Sequence, residues 1–175
     1  MIDAERRREM LAPAIVLVLG LATILGAWGF ELIGHFMPCK LCLEERVPYY
    51  VGLPVALTAF LAALAGAKPM VSRTLLLIAG LIFAYNIYLG GYHAGVEWNI
   101  FTGPSDCGST GSSITTPEDL LKTLEGGIRI VPCDQASWRF LFLSFAGWNA
   151  VISIALTAIA MWGVFRPMGS DAARR

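Results

Sequence analysis

The chemistry-bearing residues of this chain are four cysteines in two unlike pairs. Cys39-Lys40-Leu41-Cys42 is a C-x-x-C motif. That spacing lets two thiols close a small, strained disulfide ring, or leaves a thiolate of lowered pKa when reduced. The same spacing serves zinc sites and haem attachment. Covalent haem attachment needs His directly after the second Cys, and Leu43 stands there. Cys107 and Cys133 form the second pair. A disulfide between them would close a long loop, worth about 3 kcal/mol in the chain-entropy model. One reading is a passive staple. The Gly/Ser-rich stretch from Gly108 to Ser113 favours another, because a cysteine on such a flank can meet several partners. Zinc held by all four thiolates is a further reading, but structural sites bring two close pairs. Cys107 and Cys133 are not so paired, and no metal is assigned.

Arg46 lies four residues after Cys42, on the same face if the helix has begun there. Cys42 would then sit near a positive helix N-terminus with a fixed cation beside it, which favours thiolate. The guanidinium could also polarise a carbonyl on which negative charge develops. A snorkelling interfacial Arg is the plainer reading. Pro48 is tolerated in a first turn but not deeper, so the helix is expected to start shortly before it. For His93 a proton-transfer or redox-site role and an interfacial polar tip weigh equally. For His35 and Glu31 the interfacial reading prevails. Tyr49, Tyr50, Tyr92, Trp98 and Trp138 fit an aromatic interface belt, and Asn86 and Asn149 are expected to hold helices together.

The elements that must position these residues are hydrophobic. Of 175 residues 56% are apolar and 15% charged, against about 25% charged in soluble domains. Mean hydropathy is +0.63, and a formal net charge of zero gives no field to recruit nucleic acid. Four runs are long enough to span a bilayer, which takes about 20 helical residues: about 13–34, 47–65, 71–92 and 140–165. A buried soluble helix would show a polar face; Ala14 to Ala27 and Val151 to Val164 show almost none. The first run is too long for a signal h-region and is read as a retained span. The expectation is an all-α, integral-membrane four-helix bundle forming one domain over 1–175. It has a short first outer loop, about 35–46, and a long second one, about 93–139.

Four spans put both termini on one side. That side carries Arg6, Arg7, Arg8, Lys68, Arg73, Arg166, Arg174 and Arg175, which makes it cytoplasmic by the positive-inside bias. Both cysteine pairs then face outward, into a compartment where disulfides form and persist. Within the second outer loop, His93 to Trp98 is expected along the membrane surface. Thr116-Pro117-Glu118-Asp119 reads as a helix start stopped by Gly126-Gly127, and Asp134 as a cap for the last helix.

Pro38-Cys39-Lys40-Leu41-Cys42 followed by Glu45-Arg46 resembles the P-C-x-L-C-x-x-E/Q-R signature of the DsbB family. The four-span layout is similar too. Tyr92 to Trp98, Gly103-Pro104 and Val131-Pro132-Cys133-Asp134 further resemble one branch of that family. The likeness covers about Leu11 to Phe165. It implies an inner-membrane, quinone-dependent thiol oxidase serving a periplasmic DsbA-like thioredoxin-fold partner. By the same resemblance, Cys107–Cys133 is the outer redox disulfide, attacked by the partner at Cys107. Freed Cys133 pairs with Cys39 and releases Cys42. Cys42 passes electrons to ubiquinone or a related quinone with help from Arg46, and His93 matches a His near the quinone. A thiol-exchange carrier without quinone, and a structural membrane protein with a disulfide or zinc site, are the competing readings. Carriers of that kind place cysteines at mid-membrane depth, and no cysteine sits there.

Overall fold

The computed structural model describes residues 4–36, 38–104 and 133–166. Four helices dominate it: α1 (Ala4–Leu32), α2 (Lys40–Leu64), α3 (Pro69–Glu97) and α4 (Phe145–Phe165). All four are long and apolar enough to cross a membrane, as the runs of apolar residues predict. A two-residue ribbon, β1 (Arg139–Phe140) and β2 (Leu143–Ser144), precedes α4.

The helix limits differ from the sequence expectation, each for a local reason. α2 begins at Lys40 rather than about residue 47, because extended Cys39 caps it: its sulfur accepts from the Cys42 N–H at 3.4 Å. Pro48 therefore lies well inside the helix, as does Pro54. Pro48 cannot donate to the Glu44 carbonyl, a loss that membrane helices accommodate. α3 runs on through Glu97, and His93 to Glu97 are buried instead of lying along the membrane surface. Ser144, not Asp134, caps α4, accepting from the Gly147 N–H at 3.2 Å. The ribbon pairs Arg139 with Ser144 and Phe140 with Leu143. Its turn residues Leu141 and Phe142 both have positive φ, 48° and 70°. That is the twist a two-residue hairpin needs, achieved here without the usual Gly or Asn. The helix expected at Thr116 to Gly127 lies outside the described residues.

The bundle packs through small residues. Ala12, Ala56, Ala59, Ala79 and Ala160 sit with Val16, Leu76, Phe83 and Leu156 in one core. At Gly90 a Cβ would stand 3.0 Å from the Ala150 nitrogen and 3.1 Å from the Ala146 carbonyl, so its absence sets the close approach of α3 to α4. Large side chains such as Val18, Leu25, Leu81 and Tyr88 point outward, as a lipid-facing surface requires. At the end bearing the N-terminus, Arg73 of α3 pairs with Glu9 of α1 at 2.7 Å. There α2 closes on Gly66 (φ 74°), with the Ala67 N–H returning to the Ala62 carbonyl, a glycine-terminated helix end.

Candidate functional site

The opposite end of the bundle holds the sequence-predicted residues. Capping α2 places Cys39 at the helix mouth, and Cys42 follows one turn later. Their sulfurs are 3.0 Å apart, and both thiols are free. Cys39 is buried and Cys42 half-buried. The Cys42 thiol beside it holds the Cys39 thiol far down, from 9.0 to about 4; burial opposes this and the His93 imidazole assists. The sequence reading placed the helix amides and the favoured thiolate at Cys42. The structure gives the capping amide contact to Cys39 instead, and Arg46 pairs with Glu31 of α1.

Cys42, Glu45, Arg46 and Tyr49 recur at helical spacing on one face of α2. All four line a cavity of about 420 Å³ between α1, α2 and α4. Its other walls are mostly apolar and aromatic: Phe30 from α1, Trp138 and Phe140 near the ribbon, Phe145 and Trp148 from α4. Phe30, Trp138 and Phe145 touch one another, with ring centroids 4.9–5.7 Å apart. An apolar chamber with a thiol and a guanidinium at one end has the size and character of a small-molecule site. A flat, apolar ring with carbonyl oxygens fits this set: aromatic walls for its faces and Arg46 for an oxygen, with the Cys42 thiol in the same wall.

On the other side of the C-x-x-C pair, Cys39 packs with Leu41, Val96 and Cys133. Cys133 is fully buried and disulfide-bonded; Cys107 lies outside the described residues. His93 reaches Cys39, not the cavity: its Nε2 is 3.6 Å from the Cys39 sulfur, and it is not among the residues that line the chamber. Its Nδ1 lies 2.6 Å from a Glu45 carboxylate oxygen. The other Glu45 oxygen accepts from the Asn149 amide at 2.8 Å. Asn149 in turn accepts from the Tyr49 hydroxyl at 2.8 Å and from Asn86 at 3.2 Å, and Asn86 also donates to Ser153 at 3.0 Å. Asn86 and Asn149 thus join helices as expected. Tyr49 is a buried member of the network rather than part of an interface belt.

Cys39, Cys42 and His93 bring three ligand-type atoms within 4.8 Å of one another. Two thiolates on one tetrahedral zinc ion stand about 3.8 Å apart. The 3.0 Å sulfur contact is shorter than that and is a hydrogen bond between two thiols.

The family model described as "Disulfide bond formation protein DsbB" matches residues 8–163. The chain belongs to the DsbB family. It is a membrane disulfide-formation protein, and its four spanning helices are those of a DsbB-type bundle. Disulfide bond formation protein B of Nitrosococcus oceani is 26% identical over 145 residues, covering 80% of this chain and 82% of the relative. Uncharacterized protein RP370 of Rickettsia prowazekii is 27% identical over 156 residues, 87% and 86% of the two chains. The sequence reading singled out Cys39, Cys42, Cys133 and Arg46, which the structure brings to one end of the bundle, but it passed over Glu45. The signal was present: a carboxylate inside an apolar span, three residues after Cys42, marks function by default.

Proposed function

We propose that the protein reoxidises a periplasmic DsbA-like dithiol partner and passes the electrons through two cysteine pairs to a membrane quinone. It does so as a multi-pass protein of the bacterial inner membrane with both termini cytoplasmic. The observation carrying this reading is the two-sided setting of the C-x-x-C pair. Cys39 shares a buried cluster with Cys133, while Cys42 lines an aromatic chamber beside Arg46.

The partner's thiolate attacks the Cys107–Cys133 disulfide at Cys107, and Cys133 leaves. Cys133 then attacks Cys39 of an oxidised Cys39–Cys42 pair, a step that their shared cluster favours, and Cys42 leaves as thiolate. The partner's second thiol resolves its bond to Cys107 and departs oxidised. Cys107 then takes Cys133 back into their disulfide, leaving Cys39 and Cys42 reduced. A quinone held in the chamber would supply the acceptor for two electrons and two protons. Arg46, held at the chamber by Glu31, stabilises negative charge there, and the aromatic walls exclude water. The deciding experiment is oxidation of a reduced DsbA-like protein by purified enzyme, with and without a short-chain ubiquinone. Turnover should depend on the quinone; catalytic turnover without it would support a plain thiol-exchange carrier.

A further inference from the structure

Closing the Cys39–Cys42 disulfide releases two electrons and two protons, and a quinone reduced to quinol takes up both. Electrons leave through Cys42, whose proton can depart directly into the chamber that it lines. Cys39 is not among the lining residues and is buried, so its proton needs another exit. One continuous hydrogen-bonded path leads from its sulfur to the chamber. We propose that His93 and Glu45 form this path: in the reduced pair His93 Nε2 holds the proton that Cys39 has given up, the Nδ1 proton passes to Glu45, and Glu45 delivers it into the chamber. This rests on the quinone reading above and adds a route for one of the two protons.

Four observations support the path. His93 bridges the two ends, with Nε2 3.6 Å from Cys39 and Nδ1 2.6 Å from Glu45. Glu45 is at once a partner of His93 and a wall of the chamber. Its free rotation is blocked, since Asn149 holds the second carboxylate oxygen and is itself held by Tyr49 and Asn86. Asn149 is therefore a positioning residue that aims Glu45 at His93. Finally, Glu97 places an oxygen 3.9 Å from His93 Nε2, and its other carboxylate oxygen is buried with no hydrogen-bond partner. Among the described residues, the titratable groups facing His93 are thus Cys39 at the mouth of α2, Glu45 of α2 and Glu97 of its own helix. α4 presents uncharged Asn149, Arg139 of β1 acts by charge on Glu97, and Cys133 is in a disulfide. Between carboxylates an imidazole can carry positive charge in transit at low cost. Over one cycle the sulfur pair, with the groups that hold its protons, loses two electrons and two protons and gains an S–S bond. The acceptor gains the same two electrons and two protons, and His93 and Glu45 return to their starting states.

The test uses full-length protein, reduced with dithiothreitol, freed of it and mixed with a short-chain ubiquinone in a single turnover. Glu45→Gln and His93→Gln should slow ubiquinone reduction at least tenfold, the low end of what a positioned proton carrier contributes. A quinone-free readout accompanies it: the pH profile of Cys39 alkylation by iodoacetamide should move to higher pH in both variants. The helical circular-dichroism signal and the unfolding midpoint in detergent should stay at their wild-type values, which shows that the variants are folded. Wild-type ubiquinone reduction with both variants within twofold of it would overturn the path while leaving the functional reading intact. Slow reduction with an unmoved alkylation profile would cut Glu45 off from Cys39 and overturn it as well. Failure of the wild type itself to reduce ubiquinone would remove the functional reading and the path together.

Discussion

The sharpest consequence of the site geometry is that Cys39 is a thiolate at neutral pH. Its thiol is held at about 4 instead of 9.0. At pH 6 an ordinary thiol is about 0.1% ionised, whereas Cys39 would be about 99% ionised, a gain of roughly a thousandfold. Intrinsic nucleophilicity falls with pKa, and a Brønsted slope of about 0.4–0.5 over five pH units takes back about 100- to 300-fold. The net expectation is alkylation about 3- to 10-fold faster than an ordinary thiol of equal access at pH 6. The shape of the profile is more telling than its height, because burial lowers every rate alike. Iodoacetamide labelling of reduced protein, read by mass spectrometry of the Cys39 peptide, should give a rate nearly flat from pH 6 to 9 and falling only toward pH 4. Removing the main cause with Cys42→Ala should move the fall to higher pH. The sign for stability follows. Because the folded value lies below the unfolded one, this group stabilises the reduced fold fully above about pH 9. The contribution shrinks as pH falls and is gone below about 4. A labelling rate that climbs tenfold per unit between pH 6 and 8 would refute the thiolate assignment.

Other perturbations separate the parts of the site. Cys42→Ser should abolish ubiquinone reduction, because it removes the one sulfur that lines the chamber; normal turnover in that variant would move the electron exit elsewhere. Arg46→Ala should slow ubiquinone reduction tenfold or more, within the range for a lost charge-stabilising donor, with thiol exchange nearly unchanged. Equal loss in both assays would assign Arg46 a folding role only. Asn149→Leu strands Glu45, Tyr49 and Asn86 at once. Three intramembrane hydrogen bonds at about 0.6 kcal/mol each, with more for the charged one, give a cost of roughly 2–3 kcal/mol, measurable by unfolding in detergent. A loss below about 0.5 kcal/mol would show that water replaces the amide. Gly90→Val forces a side chain onto the α4 backbone and should cost about 1–3 kcal/mol; an unchanged Tm would mean that α3 and α4 can separate freely there.

The spans were legible because apolar runs of bilayer length have few other uses. The cysteines were legible because thiol spacing is itself chemistry. What stayed hidden depended on distant partners. Glu45 gains its meaning from His93, 48 positions on, and from Asn149, 104 positions on, and no local pattern joins the three. The start of α2 was misplaced because Pro48 argues for a late start, whereas the deciding contact is a sulfur acting as cap, outside the usual Ser, Thr, Asp and Asn. Tyr49 was set in an interface belt on residue type alone; its burial follows from lying seven residues after Cys42 on the same helical face. The ribbon at Arg139 to Ser144 carries no Gly or Asn at its turn, so nothing in the sequence announced it.

The distribution of buried polarity argues against a purely structural role for these groups. Lower in the bundle, helices meet through alanine, leucine and phenylalanine, with an occasional serine bonded to backbone, as Ser72 is to the Ala59 carbonyl. At the cysteine end, Glu45, His93 and Glu97 are all buried within a few ångströms of one another. Apolar replacements of similar volume would usually hold helices together as well or better, because desolvating charges is expensive. Such a departure from local packing rules is expected where function requires it. Here the costly groups adjoin the one sulfur of the C-x-x-C pair that is shut off from the chamber. A scaffold would have no reason to concentrate ionisable groups there, whereas a sulfur that must repeatedly lose and regain a proton has one.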